Sequence, residues 1–158
     1  MAAPTATPRV TPTGIWLEKG YQALVTLALD TNIELWEKTV QPPGLDGGEK
    51  IDTTTQHNTT YRTFAPRALV TGSDCKFKCA YDPTAYTSIL AVINEPTTIT
   101  VTFPDGSTVA FYGYLQAFQP DAMEEGKQPE ADVNIVCTNY DHTAHTEAGP
   151  TITSVAGT

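Results

Sequence analysis

The stretch TTITVTFPDGSTVAFYGYLQAF, residues 97–118, decides the fold. Ile99, Val101 and Phe103 alternate with polar neighbours up to Pro104-Asp105-Gly106, and a period of two is the signature of a strand. Pro-Asp-Gly reads as a type I turn with glycine in the left-handed position. The returning strand is long. Val109, Phe111, Leu115 and Ala117 share one of its faces, and Ala110, Tyr112, Tyr114 and Phe118 share the other. Both faces carry apolar or aromatic residues, so both should find cover.

The same patterning extends outward. ADVNIVCTN (131–139) buries Val133, Ile135 and Cys137 against polar alternates. RALVTGSDCKFKCAY (67–81) sets Cys75, Phe77, Cys79 and Tyr81 on one face and Lys76 and Lys78 on a wet one. YQALVTLAL (21–29) and IELWEKTV (33–40), separated by Asp-Thr-Asn, predict a hairpin, and QPPGLDGGE (41–49) is a loop. One helix is expected over 83–93: Asp82 suits the N-cap and Pro83 the first helical position. Tyr86, Ile89, Leu90 and Ile93 then form one apolar stripe. The outcome is a mainly β fold, a sandwich or barrel of about seven or eight strands with one packed α-helix. Residues 1–14, rich in Pro, Thr and Ala, read as an N-terminal arm; 15–139 form the β domain, and 140–158 a second arm.

At 158 residues the chain is most simply one domain with a real core. No apolar run approaches the roughly 18 residues a membrane span needs. The N-terminus lacks the basic start and apolar centre of a signal peptide, so the expected compartment is a cytoplasm. The net charge of −9 argues against a protein that grips nucleic acid. It suits a surface that DNA must pass without sticking, although charge alone cannot separate that from ordinary solubility, which is the better reading of it. Cys75 and Cys79, four apart on one strand, would lie about 13 Å from each other, beyond the roughly 7 Å limit of a disulfide. They read as small core hydrophobes.

The search for chemistry finds little. Gly-x-Ser-x-Gly, Gly-x-Gly-x-x-Gly and phosphate-loop patterns are absent. His142 and His145 with Glu147 could imitate a metal cluster, but they sit in a tail without helix formers and read as solvated. Glu124-Glu125 lies in a loop of acids, not across a cleft as glycosidase chemistry requires. The expectation is no enzyme, no cofactor and no metal.

One segment fits neither core nor catalysis. KIDTTTQHNTTYRT (50–63) holds six threonines and an Asn58-Thr59-Thr60 sequon, which matters only in a secreted chain. It alternates, yet neither face could bury against a core. Pairing edge to edge with another copy and a disordered loop are equally open on these residues.

The order of features resembles that of the tail tube (major tail) proteins of long, non-contractile-tailed bacteriophages. The resemblance covers roughly 15–139 and rests on EKIDTTTQHNTTYRT after a Gly-rich loop, on YDPTAYTSILAVIN, and on the run from PDGSTVAFYGYL through EEGKQPEADVNIV. It implies a β sandwich or barrel flanked by a helix, with six copies in a ring and rings stacked into a hollow tube. DNA would leave the capsid through that tube without specific binding. The implied partners are further copies of the chain, a tape measure protein, and tail terminator and tip proteins. The implied setting is the virion tail, assembled in the host cytoplasm. Under this resemblance Ile51, Asp52, Thr53, Thr54, Thr55, His57 and Arg62 are the expected subunit contacts, and Glu34, Glu37 and Asp52 the expected lumen-facing acids. The competing expectation is a glycan- or protein-binding sandwich that uses Trp16, Trp36, Tyr112 and Tyr114.

Overall fold

The computed structural model describes residues 24–27 and 35–154. The expected N-terminal arm, Trp16, Glu34 and much of the first expected hairpin lie outside the described residues. Chain order runs β1 (Leu24–Leu27), β2 (Trp36–Gln41), β3 (Leu45–Asp46), β4 (Ile51–Asp52), β5 (Phe64–Ala65), β6 (Thr71–Gly72) and β7 (Cys75–Ala80). Helix α1 (Ala85–Val92) follows, then β8 (Thr97–Thr102), β9 (Thr108–Pro120), β10 (Glu130–Cys137), β11 (Tyr140–Asp141), β12 (Thr146–Glu147) and β13 (Thr151–Thr153). The main sheet is antiparallel in the order β1-β8-β9-β10-β7-β2, with β13 added to β9. Mainly β with one helix, it is a curled half-barrel.

The 97–118 hairpin forms as its pattern dictates. β8 and β9 pair from Thr97↔Gly113 to Thr102↔Thr108. Gly106 takes φ +89°, and its N–H donates to Phe103 O at 2.9 Å. The Asp105 carboxylate accepts from Ser107 N–H at 2.8 Å, fixing the turn.

Two strands carry one extra residue each, and both extras redirect side chains. On β9, Ala117 opposes Asn134 while Leu115 opposes Ile135, so Gln116 is bulged. A bulge reverses which face the following residues meet. Phe118, expected on the face opposite Leu115, therefore packs on the core, its ring 6.2 Å from Tyr81. On β2 the extra residue is Lys38: Glu37 opposes buried Cys79, and Thr39 opposes Lys78 on the wet face.

The core gathers Val25, Leu35, Cys75, Phe77, Cys79, Ile89, Val92, Ile99, Val101, Phe111, Leu115, Ala131, Val133 and Ile135. Each large member fully buried contributes about 1.5–3 kcal/mol. The two cysteines are free and buried, and desolvation pushes their thiols up to about 12 (Cys75) and about 11 (Cys79). They behave as small apolar residues, as their spacing suggested.

Two expectations need correction. Among the described residues no ladder joins β1 to β2. They stand at opposite ends of the sheet path, because Val25 finds its apolar match in Val101 and Val40 in Phe77. The curl brings the two ends back together through a side chain, the Val25 N–H donating to Glu37 Oε1 at 3.1 Å. The helix starts two residues later than expected and is turned. Thr84 is its N-cap without a side-chain cap bond, while the Asp82 carboxylate accepts from Thr84 N–H at 2.9 Å. Ile89 and Val92 are buried, whereas Tyr86 and Leu90 are 53% and 65% exposed. Ala85, Ile89 and Val92 also satisfy the helical period, so periodicity alone could not choose between the two faces.

Candidate functional site

Between β2 and β7, neighbours in the sheet, the chain leaves the body for about thirty residues and returns. That excursion is a long two-stranded arm. Leu45 opposes Gly72 and Asp46 opposes Thr71 at its root; Ile51 opposes Ala65 and Asp52 opposes Phe64 farther out. Gly48 sits between the two pairs at φ +74°, with its N–H on the Asp46 carboxylate at 2.8 Å. An added Cβ there would press on Arg67 Cδ at 3.0 Å. Arg67 Nε in turn donates to Glu49 O at 2.8 Å, tying the two legs together.

The threonines hold the far end. Thr53 N–H donates to Thr63 O at 2.9 Å, Thr53 Oγ1 to Thr63 Oγ1 at 3.1 Å, and Thr63 N–H to Thr54 Oγ1 at 3.1 Å. The tip closes on Asn58, whose Oδ1 accepts from Thr55 N–H at 2.8 Å and whose Nδ2 donates to Tyr61 O at 3.1 Å. Asp52 is held below the usual carboxylate range by the hydroxyl and backbone N–H of Thr54. Its other oxygen lies 3.8 Å from the Arg62 guanidinium.

Ile51, Asp52, Thr53, Thr54, Thr55, His57 and Arg62, the expected contact residues, are thus all on this arm and all exposed. The structure adds what the polar reading of 50–63 missed. Leu45, Ile51, Tyr61, Phe64, Leu69 and Val70 are all exposed here, Tyr61 and Leu69 each at 81%. Leu45 stands beside glycines and prolines that read as a loop, whereas Leu69 and Val70 fall in the stretch 67–81 that reads as one strand but is strand only at Thr71–Gly72 and Cys75–Ala80. The Phe64 ring has Lys50 Nζ over it at 3.7 Å. Of the core residues none lies between Pro42 and Asp74.

The sheet's outer face carries a charge network. Lys78 Nζ reaches Asp121 at 2.6 Å, Asp132 at 3.2 Å and Glu130 at 3.7 Å, and Lys38 pairs with Glu130. These partners raise the Lys78 ammonium above its ordinary value and lower Asp121 and Glu130 below theirs. Beside it a shallow groove of about 550 Å³ is lined by Thr39, Lys76, Ala117, Gln119 and Asn134 among others.

Of the expected lumen acids, Asp52 is on the arm, and Glu37 is half-buried on the core side of β2. Burial raises the Glu37 carboxyl above its ordinary value. Its Oε2 is buried with no hydrogen-bond partner among the described residues. His142 stacks edge-on against Tyr140, centroids 5.0 Å apart, in the β11–β12 turn. Tyr112, one of the aromatics of the competing expectation, gives its hydroxyl to Asp141. Among the described residues no group of three or more His, Cys, Asp or Glu could hold a metal ion, and no helix is long and apolar enough to cross a membrane.

No protein-family model and no curated protein matches the chain. Solved structures do. A chain from the virion of a native gene transfer agent particle superposes with a TM-score of 0.59 at 14% identity, covering 87% of this chain and all of that one. A chain from the tail of an empty gene transfer agent particle, refined with C6 symmetry, gives 0.52 at 10% identity over 75% of this chain and 82% of that one. A chain from the six-fold symmetrised anti-feeding prophage baseplate gives 0.54 at 7% identity over 83% and 90%. The half-barrel with one helix is therefore a fold that this chain shares with components of phage-tail-type particles.

Proposed function

We propose that the chain is a structural virion protein, the subunit of six-membered rings that stack into the hollow tube of a phage tail. The arm carries this reading. A monomer that exposes six large apolar side chains on one excursion, none of them a member of its buried core, is built to bury them against something else. The shared fold with chains of a C6 tail and a six-fold baseplate supports further copies as that partner. Ile51, Asp52, Thr53, Thr54, Thr55, His57 and Arg62 then belong to subunit contacts.

DNA passes through the lumen without specific binding, which the net charge of −9 favours. Exposed acids such as Asp52 are the ones available to line it, whereas Glu37 in the single chain is turned onto β1. A tape measure protein inside the tube and terminator and tip proteins at its ends complete the set of partners. The tail forms in the host cytoplasm, and no catalysis is involved. Negative-stain electron microscopy of the purified protein should show rings or hollow tubes. A particle that stays monomeric at every concentration, and is not incorporated into tails, would sink the reading.

A further inference from the structure

We propose that Glu37 is a proton-operated latch on the seam where the curled sheet closes. It holds β1 against β2 while its carboxyl carries a proton, and lets β1 go when that proton is lost. The latch belongs to the single chain and does not depend on the tail reading.

The seam has no ladder to hold it. β1 takes its backbone pairing from β8, Leu24 to Leu27 lying opposite Thr102 to Ile99, and β2 takes its own from β7. Each therefore has one edge without a strand among the described residues. A free edge leaves N–H groups that cost free energy when they are buried without a partner. Val25 is such a residue, only 6% exposed, and its N–H turns away from β8 to Glu37 Oε1 at 3.1 Å. The bulge at Lys38 supplies the acceptor. It sets Glu37 opposite Cys79, facing in, and leaves Lys38 to pair with Glu130 on the outer face.

One carboxyl oxygen is thus used and the other is not. Glu37 Oε2 is buried without a hydrogen-bond partner among the described residues. A buried carboxylate is costly unless both oxygens are hydrogen-bonded or a cation pairs with it, whereas a neutral carboxyl still accepts from Val25. The surroundings offer the anion no help. Cys79, opposite on β7, has a thiol pushed up to about 11 and stays neutral, and β10 puts Ala131 beyond it. Leu24–Leu27 and Thr97–Thr102 contain no titratable residue. Lys38 and Lys78 are held by Asp121, Glu130 and Asp132 on the outer face. Burial accordingly outweighs the backbone hydrogen bonds to Glu37 and raises its carboxyl above the ordinary value.

With β1 lifted away, Glu37 meets water and returns to the ordinary glutamate value. The closed seam binds the proton more tightly than the open one and is favoured in acid. Opening becomes easier as pH climbs from the ordinary value to the raised one, by up to about tenfold per pH unit for a single proton.

Amide hydrogen exchange of the full chain, followed by NMR at a concentration where it is monomeric, reads the latch directly. Corrected for the intrinsic exchange rate, protection of the Val25 N–H should fall by up to about tenfold per pH unit over that interval and level off above it. It should also stay at least about tenfold below the protection of the Val133 N–H on β10, inside the sheet, because the seam opens without global unfolding. The Glu37 carboxyl, followed by the NMR shift of its carbon, should titrate above the ordinary glutamate range. Glu37→Gln keeps an acceptor for Val25 and cannot ionise, so its Val25 profile should be flat. The wild-type readings decide the matter even if that variant does not fold. A flat wild-type Val25 profile, a Glu37 carboxyl that titrates at the ordinary value, or Val25 protection equal to that of Val133 would each overturn the proposal. So would a Glu37→Gln profile with the wild-type slope.

Discussion

Replacing residues 47–70 by an Asn-Gly turn removes the arm while keeping its root pairs, Leu45↔Gly72 and Asp46↔Thr71. Asn-Gly is the preferred two-residue hairpin connection, so the shortened loop can close without strain. None of the core residues is deleted, and the hydrogen bonds lost are exposed ones that water replaces at little net change. The loop closed between β2 and β7 shrinks about threefold, which stabilises the fold by about 1 kcal/mol through closure entropy. Urea unfolding of the monomer should therefore show a free energy equal to wild type or about 1 kcal/mol higher. Assembly should behave in the opposite way. The deletion takes Ile51, Tyr61, Phe64, Leu69 and Val70, each contributing about 1.5–3 kcal/mol if fully buried against a neighbour. Even a third of that total, about 3 kcal/mol, moves the critical concentration more than a hundredfold. Sedimentation and electron microscopy across a concentration series read that shift. If the variant polymerises within about threefold of the wild-type critical concentration, the arm is idle and the argument fails. If the monomer loses more than about 2 kcal/mol, the arm is part of the fold, not of the interface.

Other consequences are simpler to test. Gly113→Ala would put a Cβ 2.2 Å from Val136 O at the centre of the sheet, so it should destabilise the monomer by about 2–3 kcal/mol. Gly149→Ala, with open space around it, should stay within about 0.5 kcal/mol in the same urea titration. Glu37 has a raised carboxyl in the folded state, so the folded chain holds its proton more tightly than the unfolded one. Its contribution to stability is therefore largest in acid and is lost as pH rises through the raised value. Glu37→Gln should remove this dependence and gain stability relative to wild type as pH rises above the ordinary glutamate range; a parallel pair of pH–stability curves would refute it. Lys78→Met leaves Asp121, Glu130 and Asp132 facing one another. It should lower the melting temperature at neutral pH, with a smaller loss in high salt or in acid; a loss independent of both would show that the ion pairs are idle. Thiol reagents at pH 8 should leave Cys75 and Cys79 unmodified until the protein unfolds, because burial pushes both thiols to about 12 and about 11.

What could be seen in the sequence was local. The 97–118 hairpin declares itself by period-two alternation and a Pro-Asp-Gly turn, both set by neighbouring residues. The cysteine strand and 131–139 were legible for the same reason. The side taken by Phe118 was not, because the bulge at Gln116 exists only relative to the register of β10. The inward turn of Glu37 was hidden likewise, since Lys38 becomes an extra residue only when β2 is laid on β7. The separation of β1 from β2 is a choice among apolar partners that alternation does not rank. At the candidate site, the threonine segment stood out by what it lacked, a face to bury. Its neighbours did not: Leu45 lay among glycines and prolines that matched an ordinary loop, and Leu69 and Val70 lay in a run that read as the start of a strand.

The threonines and the apolar residues of the arm answer one physical problem together. A two-stranded hairpin standing off a sheet has no core to fix its shape and is marginal in water. A hairpin with an apolar face would gain shape by collapsing onto its own body, and so lose its availability to a partner. Threonine hydroxyls linked leg to leg, from Thr53 to Thr63 and from Thr63 N–H to Thr54, give shape without apolar burial. Order gained this way lowers the entropy lost on docking, which is how pre-organised segments gain affinity. Leu45, Tyr61, Phe64, Leu69 and Val70 are then left exposed on a defined scaffold. The polarity of the segment is thus not evidence against an interface. On the proposed reading it keeps the arm from folding back on itself before a neighbour arrives.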